Sequence, residues 1–542
     1  MDGQGSSSED DGAESINTWP AILTLVLFFV SIPLASVLLL LAAGVFDGQT
    51  IRDGVVGTSG VQPLNIMALF ISLAYISISL DATGLFRFLA FWVASKGGRS
   101  GRRLFAYLYL FFLICGVIVG NDPVILSGTA FLAYFTRVAG ITPPTAWVFS
   151  QFAAANMASV VLVSSNPTNL VLSGAFSLSF LTYAAHVALP FLAVSLSVFP
   201  LLLFWLFRSP ALIPPTIDVG LTQEEVHATL VDKSGAVFGS ALLAVTLGVL
   251  VGVSTVGVPV WTVTVPPAVI MLGRDAWYDW RRRKSHVHPL SPTPSASGEG
   301  DPVPHIPSSA HELHELSSRV LSTPRSLPPT SPPPTPTSST ARALLPLLRS
   351  VLTCLTATFP TVAHIAARLP IALLPFAFLM FILVQGLAAQ GWVALFARWW
   401  DAWVGKTGAL GAVGGMGFLA CVMCNDGAQF CGTNIGATIL LARVLQLWLS
   451  PPAASPSASH AASARARDGA IYALALGSNF GAFTLTFGAS LAGLLWRQIL
   501  RQKGIRVRGA QFALLNLPIS VVAMAAGCAV LVGQLYVEHR EG

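Results

Sequence analysis

Charge is what this chain of 542 residues has least of: Asp, Glu, Lys and Arg make up 10% of it, against 54% apolar residues. An ordinary soluble domain carries about 25% charged residues, so the composition excludes a soluble globular protein and points to a bilayer as solvent. The weak apolar–polar alternation of a membrane barrel is also missing. In hydrocarbon a bare backbone finds no water, so the apolar runs must be helices. Runs at 20–45, 62–80, 370–389 and 511–534 are long enough to cross the roughly 30 Å of a bilayer core.

Other absences narrow the function. The N-terminus offers a polar, acidic tail (Ser6 to Asp11) rather than a basic stretch before a short apolar core. A cleaved signal peptide is therefore not expected, and the segment from Pro20 reads as a first spanning helix. No phosphate-cradling glycine loop is present, so direct ATP coupling is not expected from this chain; no enzymatic activity is expected either. The formal charge of +6 comes from basic residues beside apolar segments, where they act as topology signals, not as a nucleic-acid footprint. Six cysteines are too scattered for a disulfide framework. Cys421, Cys424 and Cys431 lie closer together but lack a fourth Cys or His, which argues against zinc. They read as small packing residues, with a soft-ligand role toward a thiophilic solute such as trivalent arsenic as the alternative.

Composition also divides the chain. A polar tail (1–19) precedes a first transmembrane repeat (20–208), a cytoplasmic connector (209–235) and a second repeat (236–542). The second repeat is interrupted by a Pro/Ser-rich loop over 274–343, densest from 285, which cannot build a core and reads as disordered. The cluster Arg281-Arg282-Arg283-Lys284 places that loop in the cytoplasm, and basic stretches Lys96 to Arg103 and Arg497 to Arg508 share its side.

From these anchors the order of segments follows. Segments 104–120 and 123–137 are each short of a span and meet at Asn121-Asp122, a re-entrant hairpin with both feet on the cytoplasmic side. Residues 145–174 are interrupted at Ser164-Ser165-Asn166-Pro167-Thr168, where proline breaks the helix. The second half repeats this: 407–424 and 427–443 meet at Asn425-Asp426, and 469–497 is interrupted around Ser478-Asn479 and Gly481. Counted from the anchors, the second hairpin opens to the outside. Stretches 84–95 and 391–404 read as interfacial helices before each hairpin. The expected fold is an all-α polytopic membrane protein: an inverted-repeat secondary transporter with about nine full spans, two re-entrant hairpins and two broken helices.

Inverted repeats with discontinuous helices hold substrate and coupling ions near the midplane. Aspartate in hydrocarbon is costly and marks a pathway or an ion site, so Asp122 and Asp426 are the candidate site for Na⁺ or H⁺. Asp122 before Pro123 also reads as an N-cap and first-turn pair. The candidate substrate- and ion-binding set adds Asn121, Ser165, Asn166, Thr168, Asn169, Asn425, Asn479, Thr484 and Thr486; the bland alternative is that these polar groups satisfy backbone freed at the breaks. Arg137 and Arg443 read as snorkelling anchors, Asp81 as interfacial, and His186 as a hydrogen-bonded packing residue. No cofactor is expected beyond the coupling Na⁺ or H⁺. The expected partners are a small inorganic or organic solute and the lipid bilayer, with no nucleic acid; a homodimer is compatible with this design, and the plasma membrane is favoured over an organelle membrane.

The sequence resembles the ion-transporter superfamily, which includes arsenite efflux permeases, sodium–proton antiporters of the NhaD type and citrate or dicarboxylate carriers. The resemblance rests on Gly120-Asn121-Asp122-Pro123, Ala155-Asn156-Met157-Ala158-Ser159 and Ser165-Asn166-Pro167-Thr168-Asn169-Leu170. The run from Gly477-Ser478-Asn479-Phe480-Gly481 through Gly488-Ala489-Ser490-Leu491-Ala492 to Leu495-Trp496 is most similar to the arsenite permeases. Dicarboxylate carriers typically have Ser-Asn-Thr at both tips, where this chain has Asn-Asp. The resemblance implies a proton- or sodium-coupled transporter of the arsenite-permease type, with a citrate or dicarboxylate carrier as the alternative and a sodium–proton antiporter behind both. Two like charges at facing tips would repel a dianion in a low-dielectric site, which favours a cation, a proton or a neutral solute.

Overall fold

The computed structural model describes residues 18–30, 33–58, 61–217, 223–253, 260–286, 350, 353–371, 373–425, 433–450 and 463–540. The polar tail up to residue 17, most of the Pro/Ser-rich loop, and Asp426 and Cys431 lie outside them.

Helices account for nearly everything described; the one β-bridge among these residues is isolated, between Ser100 and Thr216. In the first half come α1 (Trp19–Val30), α2 (Pro33–Ala42), α3 (Gly48–Val56), α4 (Pro63–Ala82), α5 (Leu85–Lys96), α6 (Gly101–Val119), α7 (Asn121–Val138), α8 (Thr145–Ala158), α9 (Pro167–Ala175) and α10 (Phe180–Pro200). After the connector follow α11 (Gln223–Ala228), α12 (Lys233–Val253), α13 (Val260–His286), α14 (Pro360–Arg368), α15 (Leu373–Ala389), α16 (Trp392–Cys424), α17 (Asn434–Leu449), α18 (Ala464–Gly481), α19 (Leu491–Gln502) and α20 (Gly509–Glu538). Seven stretches among the described residues are long and apolar enough to cross a membrane.

Two of the expected spans look different in the structure. Residues 20–45 supply two short helices, α1 and α2, in place of one long one. The expected span 257–273 is part of the longer α13, which carries Arg274, Asp275 and Asp279 in its second half. The same helix corrects the loop boundary: 274–286 is helical. Its acidic residues find buried partners, which is why the chain does not leave the fold at 274. Asp275, 1% exposed, accepts from Ser79 Oγ at 2.6 Å and Tyr75 OH at 3.1 Å on α4. Asp279 accepts the N–H groups of Thr361 (2.8 Å) and Val362 (3.2 Å), capping α14. Arg274 pairs with Asp232 at the start of α12.

The order of elements recurs. In the first half, α4 is followed by α5, the hairpin α6/α7, a helix broken between α8 and α9, and α10. In the second, α15 is followed by the first part of α16, which turns at Gly408 (φ 63°, ψ −155°) into its second part. That part pairs with α17, and a helix broken between α18 and α19, then α20, complete the set. Within each half the broken helix packs on its own hairpin, α8 on α6 and α7, and α18 on α16 and α17. Between halves, α19 lies against α7 and α9 against α17, a reciprocal exchange expected of two units related by a pseudo-twofold axis. Trp496 of α19, fully buried, stacks on Phe152 of α8 at 4.7 Å and is closed in by Phe149 and Phe512.

The far foot of each hairpin is tied to the other half by a hydrogen bond. Arg137, at the far foot of the first hairpin, donates to the Lys503 carbonyl at 3.1 Å, inside the basic stretch 497–508. Gln446, at the far foot of the second, donates to the Ala175 carbonyl at 2.7 Å, at the other end of the broken helix α8–α9.

Candidate functional site

Each break is built the same way. After α8 the chain passes through a 3₁₀ turn, Val163–Ser165, to an extended residue, Asn166 (φ −149°, ψ 138°), which caps α9 by accepting the Thr168 N–H at 3.2 Å. Pro167 sits at the first helical position, where its missing N–H costs nothing. After α18 a 3₁₀ turn, Phe487–Ala489, leads to extended Ser490, whose hydroxyl accepts the Gly493 N–H at 3.1 Å and caps α19. Two helix N-termini thus open into the protein interior, each with unsatisfied N–H groups and a partial positive charge.

Asn479, near the end of α18 and fully buried, joins the breaks. Its Oδ1 accepts from Ser159 Oγ and from Asn166 Nδ2, both at 2.9 Å, and its Nδ2 donates to Asn169 Oδ1 at 2.8 Å. Asn169 Nδ2 in turn donates to the carbonyls of Ser159 (2.7 Å) and Leu162 (2.9 Å) at the break. Thr168, also fully buried, points its hydroxyl toward Asn169 Oδ1 at 3.4 Å. Four of the residues singled out from sequence, Asn166, Thr168, Asn169 and Asn479, therefore form one cluster. It contains members of both halves, more than 300 residues apart in the chain.

Each hairpin tip is tied to the break of its own half. At the first, Ser165 Oγ donates to the Val117 carbonyl at 3.1 Å. Gly120 turns the chain with φ 86°, and a Cβ there would stand 2.9 Å from the Ser165 carbonyl oxygen. Only glycine meets both demands, conformation and closeness. At the second, Asn425 Oδ1 accepts the N–H groups of Leu485 (2.8 Å) and Thr486 (3.3 Å), while its Nδ2 donates to the carbonyls of Cys421 (2.8 Å) and Gly481 (2.6 Å). Gly481 is two residues from Asn479. A continuous polar line therefore runs from the first tip through both breaks to the second.

Replacing Gly120 with alanine tests the first tie. We expect a loss of about 1–3 kcal/mol from the backbone alone, because φ 86° with ψ 174° is a conformation essentially reserved for glycine, seen as a lower melting temperature in detergent, and roughly tenfold slower transport.

Several sequence expectations need adjusting. Asp122 is not an N-cap: α7 begins at Asn121, two residues before the expected start at Pro123, with Gly120 as the boundary and no side-chain cap hydrogen bond. The positive-φ turn at Gly120 lets the helix start sooner, leaving Asp122 in the first turn beside Pro123. A capping duty is thus removed from its carboxylate, which keeps some exposure at the tip. Thr484 stands apart from the amide cluster: its hydroxyl donates to the Phe480 carbonyl (2.8 Å) and meets Ser520 Oγ of α20 at 2.7 Å. Thr486 contributes its backbone N–H to Asn425. The Cys421 thiol faces the Gly477 carbonyl at 3.4 Å, and Cys424 is buried against α18, as small packing residues would be. No cluster of three or more His, Cys, Asp or Glu suited to a metal exists among the described residues.

Other polar groups escaped the sequence reading. Asp81, read as interfacial, is 2% exposed, accepts from Ser127 Oγ of α7 and pairs with Arg368 Nη1 of α14 at 3.1 Å. Asn516 of α20 is fully buried, and among the described residues neither of its amide atoms has a hydrogen-bond partner; Asn156 Oδ1 is likewise buried and unpartnered. An aspartate before a basic loop and a lone asparagine in an apolar helix give no periodic signal. Only the Ala155-Asn156-Met157-Ala158-Ser159 motif hinted at one of these groups, Asn156, and at Ser159 of the cluster.

Arsenical pump membrane proteins of Escherichia coli and Yersinia enterocolitica are 31% and 30% identical to this chain over 212 residues, 38% of this chain. The match spans about half the length of those relatives, 48%. The crystal structure of the Alcanivorax borkumensis YdaH transporter aligns over 98% of both chains at 13% identity with a TM-score of 0.48. The citrate transporter family (CitMHS) matches residues 18–445, and this multi-pass membrane transporter belongs to that family.

Proposed function

We propose that the chain is a secondary active transporter of the arsenite-permease type, coupled to a proton or sodium gradient and working by alternating access. The observation that carries this reading is the line of amides that links the two helix breaks through Asn479, with Asp122 at the tip beside it. Helix N-termini and amides can hold the oxygens of a polar solute, and a carboxylate in the first turn can carry a proton or contact Na⁺. In this reading Asp122 and Asp426 serve the coupling ion. Asn121, Ser165, Asn166, Thr168, Asn169, Asn425, Asn479 and Thr486 contact or frame the solute, and Thr484 steadies the second break. The relatives named as arsenical pump proteins support the neutral-solute choice, as does the absence of a basic side chain within the described amide cluster. We place the chain in the plasma membrane on the same reasoning and leave a homodimer as part of the proposal.

A second reading, a carrier of citrate or another organic anion, is favoured by the description of the family itself. A solute panel in proteoliposomes separates the two. Arsenite movement that collapses when the proton or sodium gradient is dissipated is the expected result. Saturable citrate uptake indifferent to arsenite would replace the first reading with the second.

A further inference from the structure

The two ends of α4 are in opposite conditions. At its C-terminal end α4 is tied to the first hairpin: Asp81 receives Ser127 Oγ from α7 and, on its other oxygen, Arg368 from α14. At its N-terminal end a cleft lies where α3, the start of α4 and α15 meet α17 of the second hairpin. Asp53 of α3, Thr58, Pro63 at the start of α4, Gln385 of α15, and Arg443 and Gln446 of α17 line it. Pro63 and Asp81 are 18 residues apart on one helix, about 27 Å by helical rise.

Two opposite charges face this cleft without pairing. Arg443 is only partly exposed, and its recorded side-chain hydrogen bond is one to Gln446 Oε1 at 3.3 Å. Asp53 accepts one bond, from Gln49 at 2.7 Å, on Oδ1. No ion pair joins Asp53 and Arg443 among the described residues. A half-buried guanidinium has five N–H donors to satisfy, and ionisable groups at membrane depth ordinarily pair with one another. The α3 side is tightly packed: a Cβ at Gly54 would stand 2.6 Å from Ile382 Cα of α15, so α3 is seated hard on α15. Closure of the cleft therefore falls to α17.

We propose that Asp53 and Arg443 are the halves of an outer gate, which pair when α17 closes on α3, and that the Asp81–Ser127 contact at the far end of α4 opens in the same step. The inference rests on the alternating-access reading above. An inner tie closed while the outer cleft stands open is one of the two states such a cycle requires. The exchange of one contact for the other makes the two states close in free energy, as rapid cycling needs.

The test has two arms. In proteoliposomes, Asp53→Asn and Arg443→Gln should each lower the maximal transport rate about tenfold with KM unchanged within twofold. The exchanged pair Asp53→Arg with Arg443→Asp should return to within threefold of wild type. In a protein keeping Cys115 as its only native cysteine, Asp53→Cys with Arg443→Cys should be joined by a short bifunctional maleimide. Cys115 lines a small cleft beside Ser127, and joining the outer pair should speed its modification by an impermeant maleimide about fivefold. An exchanged pair no better than the single variants, with all three monodisperse, overturns the gate. So does Cys115 reactivity unchanged by the cross-link. Protection of the cysteine pair by citrate without rescue by charge exchange would make the cleft an anion site instead. The cross-linking arm needs no transport, so a wild type that moves no solute of the panel sinks the functional reading without deciding the gate.

Discussion

Asp122→Asn is expected to abolish gradient-driven transport, by at least a hundredfold, while the protein remains folded. A hundredfold loss corresponds to about 2.7 kcal/mol of lost barrier lowering. The substitution keeps shape and volume and removes only the charge. Because Gly120, not Asp122, bounds the helix and no cap bond is made, folding loses only the attraction between a carboxylate and the first turn of α7, about 0.3–1 kcal/mol. A structural role would show the opposite pattern, a lower melting temperature with coupling intact. Flux driven by a proton or sodium gradient, measured beside thermal stability in detergent, separates the two; wild-type flux in the variant would leave Asp122 a helix-end charge and nothing more. Applied to Asp426, the same substitution asks whether the halves do equal work. A milder loss there would assign the coupling ion to the first hairpin.

Why Asp122 could be found from sequence, and Asp81 could not, has a physical reason. A carboxylate beside an asparagine between two apolar segments is a local signal, sharpened at Asp122 by the following Pro123, and the Asn-Asp pair recurs between apolar segments at Asn425-Asp426. The breaks are local too, since Pro167 and the polar run before it can be read without knowing what they touch. Basic anchors then gave the order of segments, and the contacts of Arg137 with Lys503 and of Gln446 with Ala175 agree with that order. Asp81 is different. It lies three residues before Gly84 at the end of an apolar helix, where an interfacial carboxylate is ordinary, and only the approach of Ser127 and Arg368 shows that it is buried. Asp275 and Asp279 were hidden for the same reason: partners on α4 and α14 keep α13 helical past the point where composition turns polar. The start of α7 lies two residues before the expected one because φ at Gly120 is not written in the sequence.

The amide cluster makes the second large prediction. Asn479→Ala should reduce transport below detection and also destabilise the protein, by about 2–4 kcal/mol. Hydrogen bonds between membrane helices average only about 0.6 kcal/mol, which alone would make the loss small. What raises it is the state of the groups left behind. Asn166 Nδ2 loses its acceptor outright, while the Ser159 hydroxyl keeps only the Asn156 carbonyl (2.7 Å) and Asn169 Oδ1 only the long Thr168 contact (3.4 Å), all at buried positions. A buried polar group left unsatisfied costs about 1–3 kcal/mol, and the three share one neighbourhood, so their costs do not simply add. Asn479→Asp sharpens the comparison. It preserves the acceptor for Ser159 and Asn166 but sets a second oxygen against Asn169 Oδ1 and the Ala475 carbonyl, where Nδ2 now donates. If the cluster only repairs the broken helices, stability and transport should fall together across the Asp and Ala variants. If the amides also grip the solute, KM should rise in the Asp variant beyond what its melting temperature accounts for. Full transport by the Ala variant would leave the two breaks as neighbours without a shared task.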